Sequence, residues 1–73
     1  MTSVQEVVDG VLRYMVAHQE NGVFIGTPRT RAEEIAVSSG GMYRTLYAMG
    51  VTRQGRGQRA RWTIPQEIIE RYR

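Results

Sequence analysis

Gly55-Arg56-Gly57 holds one arginine between two residues without side chains. That pattern lets a backbone approach a partner closely while the guanidinium reaches forward. Arg53, Arg59 and Arg61 flank it within nine positions. A guanidinium donates a planar fork of hydrogen bonds to phosphate or to a base edge. The chain has ten basic residues, all arginine, against seven acids, for a net charge of +3. The balance is uneven. Residues 1–28 carry Arg13 against Glu6, Asp9 and Glu20, a net of −2, whereas residues 29–61 carry seven arginines against Glu33 and Glu34, a net of +5. Residues 62–73 sum to zero. A basic block inside a small domain points to a polyanionic partner.

Other chemistry finds no support. Without cysteine there is no disulfide, zinc thiolate cluster or catalytic thiol. The single histidine, His18, has no Asp or Cys arrangement around it and is expected to cap a helix or face solvent. No Ser-His-Asp set, phosphate-binding glycine loop or paired-carboxylate site emerges. Catalysis, a metal, a cofactor and a small-molecule ligand are therefore not expected. Glu33 and Glu34 suit the first turn of a helix, where the helix dipole favours acids. No apolar run approaches the roughly 20 residues of a membrane span. Met1-Thr2-Ser3-Val4 lacks the basic stretch and apolar run of a signal peptide, so a cytoplasmic, nucleoid-associated location is expected.

The elements that must position the arginines follow from periodicity. Seventy-three residues allow a single domain, 1–73, with a core that buries only about 60% of the unfolded surface. Val4, Val7, Val8, Val11, Leu12, Met15 and Val16 form one apolar stripe of a first helix, about 4–19. Ser3 and Glu6 fit a capping box, and Asn21-Gly22 supplies a stop. Val23-Phe24-Ile25 reads as a brief strand. Thr30 and Glu33 repeat the capping pattern, so a second helix is expected from Arg31 to about Val37, with Ala32, Ile35 and Ala36 inward. Ser38-Ser39-Gly40-Gly41 reads as a turn. A third helix, about 42–49, turns Leu46 and Met49 inward, and Gly50 ends it. The period then alternates. Val51-Thr52-Arg53 and Arg59–Ile64 form a β-hairpin around a glycine-containing loop, with Ala60, Trp62 and Ile64 inward and Arg59, Arg61 and Thr63 outward. Trp62 is expected in the core, with a stacking platform for single-stranded nucleic acid as the alternative. Pro65 suits the start of a last helix, 66–72.

Glu34-Ile35-Ala36-Val37-Ser38-Ser39-Gly40, followed by Thr45-Leu46 and Met49, resembles the winged helix-turn-helix family of DNA-binding domains. Ala36 stands where the helices cross closely, Gly40 in the turn, and Leu46 and Met49 at the anchoring apolar places. Gly41 departs from the pattern, which usually has an apolar residue there, and Met42 is expected to take over its packing. The implied fold is α+β, mainly α: three helices, a short strand, a hairpin wing and a short C-terminal helix. The resemblance implies that the third helix enters the major groove of duplex DNA with Tyr43, Arg44, Tyr47 and Ala48 facing it. The wing, Arg53, Gly55, Arg56, Gly57, Arg59 and Arg61, would place Arg56 in a narrow minor groove, whose negative potential attracts arginine. Thr30 and Arg31 at a helix start, with Ser38 and Ser39 in the turn, are phosphate candidates.

Ile68, Ile69 and Tyr72 need burial, either against the first helix or against a second copy, and a homodimer is expected that uses these residues of the last helix, the first helix or both. The implied function is a sequence-specific DNA-binding protein, a small transcriptional repressor. The alternatives are an architectural or recombination accessory factor of a phage or plasmid, an RNA binder, and a docking module without nucleic acid. The arginine face of the third helix and wing separates the last from the rest.

Overall fold

The structure, a computed structural model, describes residues 3–28 and 39–73. It is a small α+β domain, mainly helical, with three helices and a three-stranded antiparallel sheet among those residues. The first helix, α1, spans Val4–His18. Ser3 Oγ accepts the backbone N–H of Glu6 at 3.2 Å, the cap anticipated from Ser3 and Glu6. The apolar stripe is buried from Val7 to Val16, and Val4 at its start is half-buried. The chain leaves the helix at Gln19 and reverses through Asn21 and Gly22, both at positive φ, 54° and 83°. Reciprocal backbone bonds of 2.9 Å between Glu20 and Val23 close this tight turn. Asn-Gly is the pair that such a turn favours, because its twist matches the following strand.

Strand β1, Val23–Ile25, pairs with β3, Arg61–Thr63, which pairs in turn with β2, Thr52–Gln54. The strand order is β1-β3-β2. The expected return strand is shorter than its alternation suggested. Gly57–Arg59 form a single 3-10 turn, and Ala60 precedes the strand. Ala60, Trp62 and Ile64 nevertheless point inward, and all three are buried.

Helix α2, Ser39–Ala48, corresponds to the third helix of the sequence reading. Its start corrects that reading, because Ser39, Gly40 and Gly41 are helical rather than a turn. Three consecutive poor helix formers pointed the other way, but a helix can be held by packing in spite of low propensity. Gly41 lies against Val4 of α1, with 3.9 Å to where its Cβ would stand. Met42 is fully buried and fills the apolar place that Gly41 leaves empty. The expected second helix, 31–37, and its inward residues lie outside the described residues.

Gly50 ends α2 as anticipated. Its φ is +96°, its N–H bonds Tyr47 O at 3.0 Å, and Val51 N–H bonds Leu46 O at 3.2 Å. Those two bonds satisfy the Tyr47 and Leu46 carbonyls in the last turn, and the buried pair Leu46 and Val51 seals the end. Helix α3, Gln66–Tyr72, has the expected bounds. Ile68 and Ile69 join the common core with α1, Phe24, Leu46 and Trp62.

Candidate nucleic-acid interface

Helix α2 presents a polar and aromatic face away from Met42 and Leu46. Arg44, Tyr47 and Ala48 are exposed, whereas Tyr43 is half-buried and packs on the core. The spacing had grouped all four as outward. Tyr43 turns in because Trp62 offers it a flat partner: the rings lie 5.8 Å apart and 12° from parallel. Tyr47 lies 6.2 Å from Trp62 at the same tilt and 6.5 Å from Tyr43. Offset stacks of this kind are favoured at centroid separations of about 4.5–7 Å. The indole N–H donates to Gly26 O at 3.2 Å. Trp62 is thus a core residue whose ring joins α2 to the sheet.

Arg53 completes the cluster. It pairs with Trp62 across the β2–β3 ladder, so both side chains leave the same face of the sheet. Its guanidinium carbon lies 5.6 Å from the Trp62 ring and 5.8 Å from the Tyr43 ring. Cation–π contact holds the head group at the junction of helix and hairpin while the residue stays exposed. A crevice of ≈ 40 Å³ runs beneath it, between Pro28, Tyr43, Gly57 and Trp62. Sequence reasoning had not assigned Gly26, Thr27 or Pro28 to this site. Their only signal was the turn composition after β1.

The hairpin loop carries the remaining candidates. Gly55 and Gly57 both have positive φ, 88° and 67°, and Arg56 between them is extended and exposed. Nothing stands within 4 Å of where a Cβ on Gly57 would sit, so that glycine serves the backbone conformation rather than a crowded contact. Arg59 is exposed at the end of the 3-10 turn.

Arg61 corrects the expectation of a single arginine face. It pairs with Gln54 and Ile25 and leaves the sheet on the side opposite Trp62 and Arg53. The period-two alternation that turns Trp62 inward forces Arg61 outward, away from α2. Arg53 is the hairpin cation that the register turns toward α2, while Arg44 is exposed on α2 and Arg56 and Arg59 are exposed in the hairpin loop.

Thr30, Arg31 and Ser38 lie outside the described residues, and Ser39 opens α2. Ile68 and Ile69, expected at a dimer interface, are only 2% and 3% exposed within one chain, so they have no surface to offer a second copy. Tyr72 is half-buried, and its hydroxyl donates to Asp9 Oδ1 at 2.5 Å, fastening α3 to α1. That bond holds the Asp9 carboxyl below its ordinary pKa, with help from the Gln5 side chain and Arg13. The same bond, with burial, raises the Tyr72 hydroxyl above its ordinary value.

Among the described residues, no helix is long and apolar enough to cross a membrane. Compared with models of known protein families, with curated proteins and with solved structures, the chain matches none.

Proposed function

We propose that this chain is a winged helix-turn-helix protein that binds double-stranded DNA sequence-specifically and acts as a small transcriptional repressor without catalytic activity. Helix α2 enters the major groove, and the β2–β3 hairpin is the wing. Arg44 and Tyr47 reach base edges or flanking phosphates. Arg56, at the tip, enters the adjacent minor groove. Arg53 and Arg59 contact the backbone.

The observation that carries this reading is the stack of Tyr43, Tyr47 and Trp62 beneath the Arg53 guanidinium. It couples the exposed face of α2 to the hairpin. Two elements that read neighbouring grooves must keep a fixed separation, and a packed aromatic joint supplies it. The order of helix, strand, helix, hairpin and helix, with the sheet order β1-β3-β2, supports the same reading.

The test is selection from a random-sequence duplex pool at two salt concentrations, with sequencing of the bound fraction. The expected result is salt-sensitive binding with an enriched motif. Salt-sensitive binding without a motif would replace the repressor by an architectural protein. Absence of binding at low salt would overturn the DNA reading and favour a docking module. Preference for A-form RNA over the duplex would also overturn it, because a deep, narrow major groove excludes α2.

A further inference from the structure

The alternation that aims Trp62 and Arg53 at α2 leaves a second sheet face, formed by Val23, Ile25, Thr52, Gln54, Arg61 and Thr63. Ile25 stands on it 62% exposed, the most exposed large apolar side chain among the described residues. It is a ridge between two hollows. One, of ≈ 330 Å³ at the β1 edge, is lined by Tyr14, His18, Phe24, Gly26, Thr27 and Gln58, with the Tyr14 and Phe24 rings meeting edge to face at 5.6 Å. The other, of ≈ 460 Å³, carries Glu20 and Arg61 among its lining residues. Among the described residues, neither Glu20 nor Arg61 has an ion-pair partner for its side chain.

We infer that this outer sheet face binds a second copy of the chain about a twofold axis. A twofold interface uses one patch twice, so the patch must complement itself. This one does so in shape and in charge. The Ile25 ridge of each copy enters the hollow beside Tyr14 at the β1 edge of the other. Glu20 of each copy meets the partner's Arg61, and Arg61 meets the partner's Glu20. A partner of single charge would satisfy only one of the two side chains, which is why the occupant is a second copy. The dimer moves from α3, where the isoleucines are already covered, to the sheet. Arg53 lies on the opposite sheet face, beside Tyr43 of α2, and stays exposed. The inference stands independently of DNA binding.

Sedimentation equilibrium of the full chain over a range of concentrations tests it. The wild type is expected to form a dimer. Ile25→Glu is expected to raise the dissociation constant by about tenfold or more, as loss of a central apolar anchor does. Glu20→Arg and Arg61→Glu are each expected to be monomeric alone. Mixed in equal amounts they are expected to associate, because each copy then presents two like charges to a partner with two opposite ones. The double variant Glu20→Arg/Arg61→Glu is expected to dimerise again. All three positions are exposed, and far-UV circular dichroism checks that each variant is folded. A monomeric wild type, an Ile25→Glu dimer of undiminished affinity, or charge variants that do not associate when mixed would each overturn the inference.

Discussion

Arg53 offers the sharpest test of the joint between α2 and the hairpin. Arg53→Met keeps most of the aliphatic stem and removes the guanidinium that lies 5.6 Å from Trp62 and 5.8 Å from Tyr43. An exposed cation–π contact contributes about 0.5–1 kcal/mol, and one head group shared by two rings places the loss near 1 kcal/mol. In a domain of 60–100 residues that lowers Tm by about 4–8 °C. Trp62 is the only tryptophan, so its emission follows unfolding without a label. Arg53→Lys keeps the charge but loses the planar face, and is expected to recover only part of the stability. Binding separates the two roles again. Losing one phosphate contact reduces the slope of log K against log salt by about 0.9, so Arg53→Met flattens it while Arg53→Lys does not. An unchanged slope in Arg53→Met would remove Arg53 from the DNA. A Tm shift under about 1 °C would mean that the rings do not hold the guanidinium, against the magnitude above.

Three further outcomes are expected. Arg56→Ala weakens binding most on A·T-rich flanks, and equal weakening on all flanks reduces Arg56 to a phosphate contact. Arg44→Ala relaxes preference at one base pair at a cost of about 1–3 kcal/mol; weaker binding with preference intact refutes base reading. Tyr72→Phe removes the bond that lowers the Asp9 carboxyl. A carboxylate with a depressed folded pKa adds stability above its unfolded pKa of about 3.9, and that stability is lost as pH falls through the folded value. Urea midpoints of Tyr72→Phe should therefore fall less steeply than the wild type's below about pH 4. The raised Tyr72 pKa acts in the opposite sense. Its contribution is present below the unfolded value of about 10 and is lost as pH rises through the folded one, so the variant should also lose the alkaline limb. Parallel acid limbs in the two proteins would remove the Asp9–Tyr72 bond from the linkage.

Much of the fold was legible because local rules and burial agree in this chain. The 3.6-residue stripe fixed α1, Gly50 fixed the end of α2, and Pro65 fixed the start of α3. The start of α2 was hidden, because Ser39-Gly40-Gly41 carries turn composition while the segment is helical against α1. The hairpin was legible as a pair of strands but not in length, since the 3-10 turn at Gly57–Arg59 has no apolar period to announce it. At the site, exposure of Arg44, Tyr47 and Ala48 followed from helical spacing. The inward lean of Tyr43 did not, because it depends on a ring 19 positions further along the chain. The destination of Ile68 and Ile69 was likewise open. An apolar terminal helix demands burial, but its sequence does not distinguish α1 from a second copy.

Register decides what each arginine of the hairpin can do. Pairing Arg53 with Trp62 sends Arg53 toward α2 and, by alternation, Arg61 to the far face beside Ile25. A one-residue slip of β2 against β3 would reverse the facing of Arg53 and detach it from both rings. The indole is fixed by its N–H bond to Gly26 O and by two tyrosines, and the Arg53 guanidinium on its ring opposes the slip, which would break that contact. Trp62 therefore does more than fill the core. It fixes two cations of one short hairpin on opposite faces of the sheet, Arg53 toward α2 and the proposed DNA surface, Arg61 toward the proposed second copy. Composition alone counts these arginines as one basic block, and only the pleat separates them.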